Sequence, residues 1–242
     1  AGAAGLLWLK AIREDSFFNG KSILIIEKEI KNVNDRTWSY WESPNGSFDS
    51  ILSKKWSKAN FCSEDFDSDF DLNPYQYKML RSAAFYQSIR NKYSKLKNTI
   101  FLHAEVKNID SKNIMTEVIT SEGKFQSKKV FNSLFDPKPM INQKKYPVLQ
   151  QHFVGWFIKT KKPSFDSSKV FFMDFNIPQV QETRFIYVLP IDRHNALVEY
   201  TLFSENLLHF DDYETGIKAY LDSKGITEFE IEEKEQGNIP MT

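Results

Sequence analysis

Gly2-Ala3-Ala4-Gly5 opens a stretch that runs on to Ser22-Ile23-Leu24-Ile25-Ile26-Glu27. Behind the glycines, Leu6, Leu7, Leu9 and Ile12 recur at helical spacing. Asn19-Gly20 then supplies a helix stop and a turn. The Ile-rich run that follows is continuous rather than alternating, which predicts a buried parallel strand, and it ends in an acid. Turn, helix, turn, strand and acid make up the latter part of a dinucleotide-binding unit, with Glu27 22 positions after Gly5. Each residue type has a reason. Gly2, followed by the small Ala4, lets the backbone come close to a pyrophosphate, and Gly5 lets the helix pack tightly on its sheet. The free N–H groups and the positive helix end hold phosphate charge. Glu27 accepts hydrogen bonds from a ribose hydroxyl. FAD and NAD both use this unit, and the spacing does not choose between them. A small-residue helix start also occurs where nothing binds, and it is the strand ending in Glu27 that weighs against that reading.

The rest of the composition narrows the class. The 242 residues carry 32 basic and 32 acidic side chains, so the basic excess of a nucleic-acid binder is absent. Cys62 is the single cysteine, which excludes an internal disulfide and fits a reducing compartment. His103, His152, His194 and His209 are too far apart in sequence to form an i, i+4 pair, and no metal site is expected. No run of about 18 apolar residues is present, which points to a soluble or peripheral protein on the cytoplasmic side. Phe, Tyr and Trp make up 15% of the chain. A Phe-rich core accounts for most of them, and an aromatic-lined apolar pocket is the alternative.

Working outward, residues 31–75 are irregular, and Ser63 to Asp71 reads as an acidic loop. Tyr75 to Tyr93 carries apolar residues at helical spacing. Ile100 to Asn108, Ile114 to Thr120 and Val130 to Phe135 read as strands. After Pro147, four strand-like runs (Phe153 to Lys159, Val170 to Phe175, Arg184 to Leu189, Ala196 to Phe203) predict an antiparallel sheet. Asp211-Asp212 then offers an N-cap to a helix carrying Tyr213, Ile217 and Leu221, stopped by Gly225. Phe229 and Ile231 lie in a last strand.

Asn34-Asp35-Arg36-Thr37-Trp38-Ser39-Tyr40-Trp41 resembles the NDRTWCFW segment of bacterial lycopene cyclases. Further similar segments follow in collinear order: Gln151 to Trp156, then Met173-Asp174-Phe175 with Gln179, then Arg184 to Pro190. Ala196 to Thr201 and Gly237 to Thr242 complete the series. The resemblance implies a glutathione-reductase-like α/β flavoprotein, a Rossmann-type domain with an inserted antiparallel sheet domain. It places the FAD/NAD(P)-binding domain at 1–147, the substrate domain at 148–236, and a return to the FAD domain from 237 to 242. It also implies that the chain begins and ends inside the family's sequence, without the first strand and a C-terminal glycine-rich segment, so that weak FAD binding is expected of it alone.

The implied activity is acid-catalysed, non-redox cyclisation of lycopene, via γ-carotene, to β-carotene, with reduced FAD and NAD(P)H. A membrane surface is the implied meeting place for so apolar a substrate. Glu199 aligns with the first glutamate of the family's FxEET-like motif, used as a catalytic acid or cation stabiliser; on residue type alone such an acid is more often a strand-edge or surface carboxylate. The family's second acid is replaced by Tyr200. Gly2, Ala4, Gly5, Glu27, Arg36 and Val106 are the expected cofactor contacts, with Trp38 near Arg36. Trp156, Asp174, Phe185 and Tyr187 are the expected pocket residues, joined by Phe172 as an aromatic able to face a cation, although most such rings are core; for Asp174 a structural hydrogen bond within the sheet is the favoured role.

Overall fold

A computed structural model of the chain describes residues 1–112 and 114–241. Thr242, the last residue of the Gly237–Thr242 segment, lies outside the described residues. In chain order the elements are α1 (Ala3–Glu14), β1 (Ile23–Glu27), β2 (Thr37–Glu42), β3 (Lys54–Trp56), β4 (Lys58–Ser63), β5 (Phe66–Asp71), β6 (Gln76–Arg81) and α2 (Ser82–Tyr93). There follow β7 (Thr99–His103), β8 (Val106–Lys112), β9 (Met115–Thr120), β10 (Gly123–Ser127), α3 (Lys138–Asn142) and β11 (Leu149–Thr160). The last five are β12 (Val170–Asp174), β13 (Thr183–Pro190), β14 (Asn195–Ser204), α4 (Phe210–Ser223) and β15 (Phe229–Met241).

They form two compact units, one of residues 1–35 with 81–136, the other of 36–80 with 137 onward. These units differ from the expected division at 147. Residues 36–80 belong with the antiparallel sheet, because β4 pairs with β12 in parallel, Ala59 opposite Val170 and Cys62 opposite Asp174. Residues 237–241 likewise stay in that sheet as the end of β15 instead of leaving it.

In the first unit β1 and β7 pair in parallel, from Ile23 opposite Thr99 to Glu27 opposite His103. The helical spacing of Leu6, Leu9 and Ile12 buries one side of α1. The chain leaves α1 through a turn clamped by Arg13, whose guanidinium donates to the carbonyls of Phe18, Lys21 and Asn98. Strands β8, β9 and β10 form a separate antiparallel sheet. Val130 to Phe135 is not a strand: its backbone joins no ladder, and Phe131 rests on Trp8, ring centroids 4.7 Å apart.

The second unit contains a seven-stranded sheet in the order β15-β11-β14-β13-β12-β4-β5, and a three-stranded sheet β2-β6-β3. Helix α4 lies on one face of the larger sheet. Its Tyr213, Ile217, Tyr220 and Leu221 pack with Val154, Ile186, Val198 and Leu202. Each such side chain contributes about 1.5–3 kcal/mol on burial. The cap of α4 is His209 rather than Asp211-Asp212; the two acids occupy the first turn, where the helix dipole favours them. Gly225, at φ +73°, ends the helix in the left-handed conformation that glycine adopts freely.

Two further local expectations change. Ser63 to Asp71 forms a hairpin, because Phe66, Ser68 and Phe70 alternate with acids in β5, and Asn60 Nδ2 holds Asp67 and Asp69 at 2.7 and 2.9 Å. The acids also blunt an edge strand. Tyr75 to Tyr93 splits into β6 and α2; Tyr77, Lys78, Met79 and Leu80 are all buried, as in a central strand. Lys78 is buried there with its ammonium on Glu42, Asp49 and the Ser43 carbonyl.

Candidate functional site

The first unit brings together the two ends of the opening stretch. The Ala1 nitrogen donates to the Ile26 carbonyl at 2.7 Å and to Glu27 Oε2 at 2.5 Å, while Glu27 Oε1 accepts from the Glu29 N–H. Gly2 caps α1 with no side-chain hydrogen bond. A Cβ on Gly2 would meet nothing within 4 Å, whereas one on Gly5 would lie 2.9 Å from the Ala1 Cβ. An uncapped helix start, open space at Gly2, close packing at Gly5 and an acid at the end of the adjacent strand fit a dinucleotide's pyrophosphate and ribose. Ala4 is exposed in the first turn of α1, and Val106 begins β8 in the same unit. Arg36 is exposed and belongs to the other unit.

The second unit holds an acid on the sheet face opposite α4. Antiparallel register sets Glu235 of β15, Gly155 of β11, Glu199 of β14 and Tyr187 of β13 in one row. The next row contains Gly237, Phe153, Thr201 and Phe185. Directly opposed residues point to the same face, so all these side chains share it. Glu199 keeps part of its surface open, yet its carboxyl is enclosed by protein. Burial pushes this acid up to about 8, the negative charge of Glu235 adds to the rise, and a 2.8 Å hydrogen bond from Thr201 Oγ1 opposes it. At neutral pH the carboxyl is therefore mostly protonated.

A band of rings flanks that acid. Trp41 lies 4.8 Å from Tyr77 and 5.1 Å from Phe172; Phe172 lies 5.6 Å from Tyr187, and Tyr187 5.1 Å from Phe185. Burial raises the phenols of Tyr77 and Tyr187, and the Glu199 carboxylate would raise both further, so their hydroxyls stay protonated. The arrangement offers a proton from a dry carboxyl and quadrupole faces for a developing cation.

Two of the expected pocket residues lie on the other face of the sheet. Trp156 lies in the core under α4, its indole N–H donating to Glu214 Oε1 at 3.1 Å. Asp174 is buried on that side too, accepting from Tyr220 Oη at 2.8 Å and from the Asn176 N–H, with Lys224 Nζ at 3.1 Å. These partners come from α4 and from the turn after β12, so Asp174 makes structural bonds to the helix side and not within the sheet. Phe185 and Tyr187 lie on the Glu199 face. Tyr200, where the family places its second acid, alternates to the α4 side; a Cβ on Gly216 would meet its ring at 2.6 Å. Gln179 works as a loop clamp, bonding the Phe175, Ile177 and Arg184 carbonyls and the Arg184 N–H.

Sequence reasoning missed Glu235, Tyr77 and the Thr37 hydroxyl, which donates to Glu235 Oε2 at 2.7 Å. Strand alternation could have put Glu233, Glu235 and Gly237 on one face, but only sheet order shows what that face meets.

A small-residue helix start beside a strand ending in an acid, in one unit, and an acid-bearing aromatic sheet in the other belong to an α/β chain with the fold of FAD-dependent flavoproteins. Among solved structures, it is similar to a flavoprotein/dehydrogenase from Cytophaga hutchinsonii (12% identity, TM-score 0.62, 99% of this chain and 64% of that one). It is also similar to a p-nitrophenol 4-monooxygenase from Pseudomonas putida (13%, 0.64, 99% and 65%). A halogenase in complex with phloroglucinol and FAD matches at 11% identity and TM-score 0.64, over 98% and 58%. The chain thus spans less than two thirds of the length of each. Direct comparison with curated protein sequences finds no match. The profile of the lycopene cyclase family, described as "Lycopene cyclase protein", matches residues 1–242, and the chain belongs to that family.

Proposed function

We propose that this chain carries the nucleotide-binding and acid-bearing parts of a lycopene β-cyclase, which converts lycopene via γ-carotene to β-carotene. The observation that carries the reading is Glu199, a carboxyl held protonated on an aromatic sheet face. Ring closure needs a proton delivered to a terminal alkene, attack of the next alkene on the resulting cation, and loss of a proton from the new ring. Glu199 supplies the first proton, because burial keeps its carboxyl protonated at neutral pH, where a solvated glutamate would already be a carboxylate with no proton to give. Phe172, Phe185 and Tyr187 present rings to the cation, each contact worth ~0.5–2 kcal/mol. The same apolar face keeps out water that would trap the cation.

Gly2, Ala4, Gly5 and Glu27 would hold FAD through its pyrophosphate and ribose, with Val106 and Arg36 as further contacts. Reduced FAD, when bound, supplies an electron-rich ring system that favours positive charge nearby, with NAD(P)H as the source of its electrons. Among the described residues no helix is long and apolar enough to cross a membrane. A C40 hydrocarbon is not delivered through water, so the reading includes peripheral contact with the inner face of a membrane.

The test is lycopene incubated anaerobically with the flavin-loaded protein. β-Carotene should form without stoichiometric NADPH consumption, and Glu199→Gln should slow its formation by about 10²-fold or more. Steady NADPH oxidation per turnover would instead mark a monooxygenase or an isoprenoid reductase of the same fold.

A further inference from the structure

On the reading of Glu199 as the acid, we propose that Glu235 is its positioning residue: a fixed carboxylate, anchored by Thr37, that faces Glu199 across Gly155 and keeps the proton on it until substrate takes it. The geometry comes from the sheet itself. β15 and β14 both flank β11, and the register puts Glu235 and Glu199 on either side of the same residue. That residue is a glycine. A Cβ there would lie 3.3 Å from Glu235 Cγ and 3.5 Å from Glu199 Cβ, and 2.9 Å from Leu197 Cδ1. Any other side chain would stand between the two acids or displace them. Thr37 Oγ1 donates to Glu235 Oε2 at 2.7 Å, a bond that favours the ionised form of Glu235.

The groups facing Glu199 are Tyr187 from β13, Tyr77 from β6, Thr201 from its own strand and Glu235 from β15; β11 contributes Gly155. One row away β15 also carries Glu233 on this face. Among the described residues the charged group that acts on Glu199 is Glu235. Two carboxyls so placed do not ionise together easily, so one remains an acid while the other remains an anion. The family resemblance put the second acid at position 200, which points away under α4; the tertiary structure supplies one from a strand 36 residues later in the chain.

The proton balance follows from the pair. Glu199 gives its proton to the alkene and becomes a second carboxylate beside Glu235. The repulsion between them makes Glu199 a better acceptor for the proton that the closed ring must lose. Proton in equals proton out, the acid is restored, and no oxidant is consumed. While the substrate is cationic, both anions lie on the face that carries the rings.

The experiment is a carboxyl titration of Glu199 by difference infrared spectroscopy on the flavin-loaded protein, with Glu199→Gln as the blank, in wild type, Glu235→Gln and Glu235→Asp. The pH profile of lycopene cyclisation is recorded alongside. Glu235→Gln keeps an acceptor for the Thr37 hydroxyl and removes the charge. The Glu199 titration should fall by about one pH unit or more, and the alkaline limb of the rate profile should move down with it. Glu235→Asp, which keeps the charge, should restore most of the shift and covers the case of a poorly folded Gln variant. A Glu199 titration unmoved or raised in Glu235→Gln, or equally lowered in Glu235→Asp, overturns the proposal. A lowered titration in a protein that makes no β-carotene leaves the pair standing and overturns the cyclase reading instead.

Discussion

An acid kept protonated by burial must destabilise the fold wherever it would otherwise ionise, and Glu199 makes this measurable. Its ordinary value is 4.5 and its folded value about 8. Between these limits the folded chain holds a proton that the unfolded chain has released. Stability therefore falls as pH rises through that window, fully present below 4.5 and lost by about 8. Each pH unit corresponds to ~1.4 kcal/mol, so the loss is about 3 kcal/mol at pH 7 and about 5 kcal/mol above pH 8. Glu199→Gln removes the titration while keeping the shape and an acceptor for the Thr201 hydroxyl. The variant should match wild type near pH 4.5 and become progressively more stable toward pH 8, with a plateau beyond, while cyclisation falls by about 10²-fold or more. Urea unfolding at a series of pH values reads this directly. Four of the five tryptophans (Trp38, Trp41, Trp56 and Trp156) belong to the second unit, so fluorescence reports chiefly on the sheet that carries Glu199. A stability difference that stays flat between pH 5 and 8, or that favours wild type at high pH, would refute the buried-acid reasoning.

Gly2→Thr should separate nucleotide binding from folding. Threonine caps a helix about as well as glycine and the new Cβ meets nothing within 4 Å, so stability should change by less than ~0.5 kcal/mol while flavin titration shows at least a tenfold loss of affinity. Tyr187→Leu should slow cyclisation by about 3- to 30-fold through loss of a ring beside the cation, with little change in the pH of the alkaline limb; an unchanged rate would remove Tyr187 from the site. His152 is buried between Ser204 Oγ at 2.7 Å and Tyr213 Oη at 2.6 Å. Its burial holds the imidazole below 6.5, so the stability it confers is present above pH 6.5 and lost as pH falls through its folded value. His152→Ala should cost about 2 kcal/mol at pH 7, by opening a cavity and by leaving Ser204 Oγ only the Asn206 carbonyl and Tyr213 Oη only the Leu208 N–H, read as a lower urea midpoint.

Much of the local structure follows from residue order. The helix of Leu6, Leu9 and Ile12, the Ile-rich β1, the four strands after Pro147 and the glycine that ends α4 all depend on periodicity and backbone preference over a few residues. The failures share a cause. Residues 63–71 read as a loop because β5 is acid-rich, and its strand is held by Asn60 and by pairing with β4 rather than by its own apolar side chains. Residues 76–81 continue an apolar pattern that fits a helix, and become a strand because β2 and β3 flank them. Val130 to Phe135 has strand composition but no ladder to join.

The acid at the centre of the site shows the same division. The sequence by itself identified Glu199 as an acid in a strand, sharing a face with Leu197 and Thr201, because side chains alternate along one strand whatever surrounds it; Phe185 and Tyr187 entered as aromatics able to face a cation, together with Trp156. It could not separate Phe185 and Tyr187 from Trp156 and Asp174, since which face receives α4 depends on packing between segments far apart in the chain. Nor could it reveal Glu235, 36 positions after Glu199, as the neighbouring charge. Only the order β15-β11-β14 brings the two carboxyls to either side of Gly155, and only enclosure by that sheet and its rings keeps the proton on Glu199. Charge and hydration depend on what lies within a few ångströms, and that is decided by the tertiary fold.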